Sequence, residues 1–174
     1  MLTLIQPYKA YKFKIIRENP LICGKMKKFI LLFFFLISNQ IFAQLNTHTF
    51  EQAEKLSIEK QKPFVIFIHT DWCKICKMME NTTFKNKEII NELNQNFYFI
   101  SFNAEDKNEI IFNKNKFKFK PKGNNSGIHE LAESLSNQIY PTITILNSDH
   151  TILTQIESFV NAKTLLQILE KARK

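Results

Sequence analysis

The chain has 174 residues, 44% of them apolar, so it can bury a core of ordinary domain size, and wholesale disorder is excluded. Its formal charge of +8 suggests a nucleic-acid binder, but of 24 Lys/Arg and 16 Asp/Glu, seven and one fall within residues 1–43. Residues 44–174 are therefore close to neutral, which argues against a phosphate-binding face and against nucleic acid as a partner.

Lys25, Lys27 and Lys28 precede an unbroken apolar run, Phe29–Ile37, followed by Ser38-Asn39-Gln40 and then Ile41-Phe42-Ala43-Gln44. Basic head, apolar run and small residue form the pattern of a cleaved secretory signal over 26–43, cut after Ala43. The run is nine residues, short of the ~20 a spanning helix needs. Residues 1–25 read as an extension upstream of the true start at Met26. Export to the periplasm or beyond is expected, and cleavage removes Cys23. Cys73 and Cys76 are then the only cysteines of a mature chain read as one domain over 44–174.

Thr49 and Gln52 have the spacing of a capping box, and Phe50, Ala53 and Leu56 then recur at helical intervals to about Gln61. Pro63 closes that helix. Phe64–Ile68 is a continuous apolar run and reads as a buried strand. Residues 74–82 and 87–95 read as helices with a break at Thr82-Thr83, and Phe97–Phe102 as a second buried strand. A turn at Asn103–Asp106 leads to a short helix near 107–115. Phe117 and Phe119 then alternate with lysines as an edge strand ended by Pro121, and 123–127 reads as a loop. Lys114, Lys116, Lys118, Lys120 and Lys122 form a local basic cluster, read as a solvated strand edge. The sharper alternative is a docking surface for an acidic partner. A helix from Ile128 to Leu135, a strand over 140–146, a turn at Asn147–His150, a strand over 151–156 and a helix closing near Ala172 complete the chain. The early strand–helix–strand unit implies parallel pairing, and the 141–156 pair an antiparallel hairpin. The expected class is α/β, with a central mixed sheet flanked by helices and an insert near 103–127.

The chemistry lies in Trp72-Cys73-Lys74-Ile75-Cys76-Lys77, where a strand gives way to a helix. Unpaired amides and partial positive charge at a helix N-terminus favour thiolate at Cys73, and Lys74 and Lys77 add to that field. Spacing of i, i+3 puts both sulfurs on one helical face, within bridging reach. Cys73, nearer the open end, is the expected nucleophile, and Cys76, one turn inside, the resolving thiol. Trp72 would shield the pair and offer substrate an apolar surface. A redox pair competes with a metal site completed by His69, His129 or His150, although no His-x₃₋₅-His spacing occurs, and with an inert pair.

Asp71-Trp72-Cys73-x-x-Cys76-Lys77 after an apolar strand, Tyr140-Pro141-Thr142 at the head of a later strand, and the element order between them resemble the thioredoxin superfamily over roughly 50–172. With Met78, Met79 and Glu80 following, the motif is similar to exported WCxxCK thioredoxin-like proteins. The resemblance implies a thioredoxin-like fold, a cis Pro141 against the disulfide, and a Tyr140 backbone that pairs with substrate. Cytosolic members carry a buried acid where this chain has Phe67, and Gly-Pro where it has Lys74-Ile75. Proton transfer at Cys76 therefore falls to water or to another group, Glu80 and His69 being the candidates. Each of these two is also readable as structural.

The expected function is thiol–disulfide exchange on exported disulfide-containing proteins, as a reductant or isomerase fed by a membrane electron donor. The protein would be a monomer with no cofactor beyond the redox-active Cys73–Cys76 pair and no resident metal. The alternatives are a disulfide-forming oxidant, a soft-metal (copper) module using both cysteines with Met78-Met79, and a non-catalytic interaction protein on the same fold.

Overall fold

The structure, a computed structural model, describes residues 44–123 and 126–173. The extension at 1–25, the export segment at 26–43, and Asn124 and Asn125 of the expected loop lie outside the described residues.

Helix α1, Phe50–Glu59, starts where the sequence signals it. Gln52 N–H donates to Thr49 Oγ1 at 3.1 Å, and Thr49 N–H donates to Gln52 Oε1 at 3.0 Å. Strand β1, Phe64–His69, is buried along its whole length. Helix α2, Lys74–Asn81, ends at the expected break, and a 3₁₀ turn, Thr83–Lys85, follows. Helix α3, Lys87–Asn96, is capped by Asn86, and strand β2 runs over Tyr98–Asn103. Further on come helix α4, Glu130–Leu135, strand β7, Thr142–Leu146, strand β8, Ile152–Ile156, and helix α5, Ala162–Ala172.

The main sheet has four strands in the order β2-β1-β7-β8. β1 and β2 are parallel from Phe64↔Tyr98 to His69↔Asn103, and β7 is antiparallel to both β1 and β8. Alternation along the strands divides the core into two layers. Phe64, Ile66 and Ile68 of β1 face a cluster with Phe50 and Ala53 of α1 and Leu131 and Leu135 of α4. Val65 and Phe67 face the opposite cluster with Met79 of α2, Ile89 and Leu93 of α3, and Leu165 and Leu169 of α5. Helices thus cover both faces of a mixed sheet.

The insert departs from expectation. Residues 107–115 do not form a helix. Strands β3, Ile110–Phe112, and β4, Asn115–Phe117, make a hairpin with Phe112 opposite Asn115. Its turn residues Asn113 and Lys114 have φ of 48° and 62°, the left-handed conformation of a two-residue hairpin turn. The period-two pattern wins because Phe112 is buried against Phe50, Phe64 and His150, with ring centroids at 5.0, 5.9 and 5.0 Å. Glu54 of α1 anchors the turn by accepting from Asn113 N–H at 2.7 Å.

A second hairpin pairs β5, Phe119–Lys122, with β6, Ser126–His129. Pro121 therefore sits inside a strand, opposite Gly127, and does not end it. A short two-stranded sheet tolerates proline because each strand has an open edge where no N–H is needed. The helix expected from Ile128 begins two residues later, because Ile128 belongs to β6. The lysines are exposed, and Lys116, Lys118, Lys120 and Lys122 lie beside local acids. Lys116 Nζ lies 2.7 Å from Glu109 and Lys120 Nζ 2.9 Å from Glu133. This pairing supports the reading of a solvated edge.

Gly127 has a steric task in that hairpin. A β-carbon there would collide with the Phe119 ring and stand 2.5 Å from the Lys120 carbonyl oxygen. Gly127→Ala is expected to cost about 1–3 kcal/mol by overpacking. A lowered urea midpoint with an unchanged Cys73–Cys76 potential would confirm it, whereas an unchanged midpoint would show that the hairpin is not packed this way.

Candidate active site

Strand β1 delivers the chain to the turn Thr70–Trp72, where the Cys73 N–H donates to the Thr70 carbonyl at 3.2 Å. Cys73 is the N-cap of α2, with φ −76° and ψ 98°. Its Sγ accepts from the Cys76 N–H at 3.1 Å, so one first-turn amide of the helix points at the sulfur. That arrangement stabilises negative charge on Cys73 Sγ once the pair is reduced. The two cysteines form a disulfide with a Cα–Cα distance of 5.2 Å. Cys73 is 6% exposed and Cys76 0%, so Cys73 is the less deeply buried residue of the pair.

Trp72 is 67% exposed beside the pair. Its indole N–H donates to Glu105 Oε1 at 3.1 Å, and its ring meets Tyr140 edge-on with centroids 6.2 Å apart. Tyr140–Pro141 is a cis peptide. Burial pushes the Tyr140 hydroxyl pKa up, and Glu105 and Glu133 add to the shift. Ile75 and Met78 continue the exposed apolar surface along α2, while Met79 is buried in the core.

Phe67 lies in the cluster that holds both cysteines. It is 1% exposed, stacks on His69 at 5.3 Å and meets Phe84 edge-on at 4.8 Å. Polar groups enter this layer near the end of β1. His69 is 9% exposed, and its Nε2 lies 3.1 Å from Ser101 Oγ of β2. Glu80 of α2 is ion-paired to Lys77 at 3.0 Å, and its other oxygen is 3.9 Å from His69 Nδ1. Burial holds the His69 pKa below the ordinary imidazole value. Lys77 pushes it the same way, against the raising effects of Glu80, Asp71 and the Thr70 backbone.

The structure brings Trp72, Cys73, Cys76 and the Tyr140–Pro141 peptide to one end of the sheet, with His69 and Glu80 at the end of β1 and on α2. It does not bring the other histidines there. His129 packs edge-on to Phe102 and caps α4, donating from Nε2 to the Asn108 carbonyl at 3.0 Å and accepting at Nδ1 from Leu131 N–H. His150 stacks on Phe64. Both belong to the α1–α4 face, so no Cys₂His₂ set forms among the described residues. Sequence reasoning missed Ser101 and Glu105. Ser101 was detectable as the one polar interruption in the apolar run Phe97–Phe102, whereas nothing in the sequence marks Glu105 as the partner of Trp72.

A disulfide at a helix N-cap on a sheet of this order, with a cis proline just before β7, has a counterpart among known families. The thioredoxin-like domain matches residues 50–173. The chain belongs to the thioredoxin-like domain family. Among solved structures, DsbH oxidoreductase superposes with a TM-score of 0.55 at 17% identity, over 75% of this chain and 85% of its own. A thioredoxin from Thermus thermophilus gives 0.53 at 15% identity, over 74% and 86%. A thioredoxin-fold protein from Helicobacter pylori gives 0.51 at 19% identity, over 63% and 68%. At these identities the likeness is one of fold. A search among curated proteins finds no match.

Proposed function

We propose that this thioredoxin-like protein is an exported thiol–disulfide oxidoreductase that acts as a reductant or isomerase on disulfide-containing proteins. The observation that carries the reading is Cys73 at the N-cap of α2, its sulfur bonded by the Cys76 amide of the first turn and its residue the less buried of the pair. In the reduced form Cys73 thiolate attacks a substrate disulfide, and a Cys73–substrate disulfide replaces it as the first substrate sulfur leaves. Cys76 then attacks Cys73 Sγ, the Cys73–Cys76 disulfide forms, and the second substrate sulfur is released. Trp72 supplies the apolar contact and the Tyr140 backbone beside Pro141 the pairing edge. Glu80, four residues after Cys76 and so on the same helical face, takes the Cys76 proton. A membrane reductant returns the electrons.

Export is supported from both sides of Ala43. The sequence before it has the form of a signal, and Leu45 immediately after it packs against the core. Thr47 also bridges to Phe99 in β2, so the residues just after the expected cut are already packed on the sheet.

The test is the reduction potential of residues 44–174 equilibrated against glutathione and dithiothreitol buffers. A reversible two-electron couple at about −270 mV supports the reductant reading, and one at about −120 mV replaces it with a disulfide-forming oxidant. Absence of any reversible couple overturns thiol chemistry altogether.

A further inference from the structure

Cys76 is fully buried, yet it must lose a proton each time it resolves a mixed disulfide. Phe67 shares its buried layer and, as an aromatic ring, offers no acceptor. Polar groups reach that layer through His69, Ser101 and Glu80, which come from β1, β2 and α2.

The His69 ring lies on the α2 side of the sheet, stacked on Phe67. Ser101 Oγ holds its Nε2 at 3.1 Å. A hydroxyl both donates and accepts, so this contact supports either tautomer of the ring. Nδ1 is buried and makes no hydrogen bond among the described residues. It faces Glu80 Oε1 at 3.9 Å, an electrostatic contact rather than a direct hydrogen bond. Glu80 itself reaches solvent. A cavity of about 310 Å³ at the β2 edge is lined by Phe67, Glu80, Phe84, Phe99 and Ser101. The charged groups acting on the ring are Glu80 and Lys77 from α2 and Asp71 from the turn.

We propose that His69 is a positioning residue of the disulfide centre: held by Ser101, it fixes the Glu80 carboxylate as the acceptor of the Cys76 proton. This deepens the thiol-exchange reading above and rests on it. In the resolving step the Cys76 S–H proton passes to Glu80, and the Cys76 thiolate attacks Cys73 Sγ. The Cys73–Cys76 bond forms as the Cys73–substrate bond breaks, and the substrate sulfur leaves as a thiolate that solvent protonates. Glu80 returns its proton to water through the edge cavity, with His69 Nδ1 orienting the exchange. The network sits one residue pair away from the position where the superfamily resemblance places a buried acid. A buried aromatic at Phe67 and a polar group at His69 are thus two halves of one arrangement.

The test follows the two chemical steps separately in the reduced full-length mature chain, with glutathione disulfide as the probe. Formation of the Cys73–glutathione adduct and its resolution by Cys76 are timed by acid quench and mass spectrometry over a range of pH. His69→Phe is expected to slow resolution about tenfold near neutral pH and displace its pH profile to the alkaline side, with adduct formation unchanged. His69→Gln, which keeps a partner for Ser101 but carries no titrating proton, is expected to displace the profile in the same direction. In a Glu80→Gln background His69→Phe should add nothing further. Wild-type resolution rates and profiles in both His69 variants would overturn the proposal, as would equal slowing of both steps without a displaced profile. If His69→Phe does not fold, His69→Gln and Ser101→Ala decide the matter by the same criteria. A wild-type chain that performs neither step overturns the thiol-exchange reading itself, a distinct failure.

Discussion

Cys73→Ser is expected to abolish disulfide exchange, with the rate of reaction toward glutathione disulfide falling by about 1,000-fold or more. The substitution keeps an N-cap acceptor for the Cys76 amide, so α2 should start in the same place and the fold should survive. What disappears is the sulfur that the first-turn amide of Cys76 stabilises as thiolate, and a serine hydroxyl does not ionise at neutral pH. Cys76→Ser has the opposite signature. Adduct formation at Cys73 continues, but no thiol remains one turn inside to break the adduct, so a covalent Cys73–glutathione species accumulates. Mass spectrometry of the two variants separates these outcomes. Full activity in Cys73→Ser, or no adduct in Cys76→Ser, would contradict the assignment of nucleophile and resolving thiol. The asymmetry arises from burial and from position on the helix, since the two side chains are chemically identical.

The second large effect concerns the floor of the site. Phe67→Ala is expected to destabilise the domain by about 3–5 kcal/mol, the range for deleting a buried aromatic. Phe67 is fully packed between His69 and Phe84 in the layer that carries both cysteines. Against a typical stability of about 5–15 kcal/mol, this is a major fraction. Phe67→Asp should be worse still, because it leaves the same void and buries a carboxyl that retains its proton through desolvation. Urea unfolding monitored by Trp72 fluorescence measures both. A loss below about 1 kcal/mol for Phe67→Ala would mean that the layer collapses to fill the gap. Such an outcome would show that the ring is not what supports α2 beneath Cys76.

Much of the fold was legible because the signals were local. The capping box at Thr49 and Gln52, the apolar run from Phe64, the break at Thr82-Thr83 and the Cys73–Cys76 spacing each encode their geometry within a few residues. Pairing of β1 with β2 and of β7 with β8 followed from connection length and handedness. The insert was not legible in this way. Lys114 is no turn signal by type, yet it adopts φ of 62°, and the hairpin around it exists because Phe112 finds Phe50, Phe64 and His150. Those partners come from elements distant in sequence, and the gain from burying one aromatic ring outweighs the weak helical propensity of 107–115.

The site divides along the same line. The sequence by itself placed Cys73 and Cys76 one turn apart at a helix start, because a cap needs only the first turn of its own helix. Tertiary structure alone decided which groups surround them. It placed Glu105 on the Trp72 indole, left Lys116 and Lys120 matched by acids, and separated His129 and His150 from the cysteines by a sheet. It also joined His69 to Ser101 across 32 residues and set both against Glu80. Each of these is a through-space relation between side chains whose local propensities carry no trace of one another, so they arise only when the strands and helices pack.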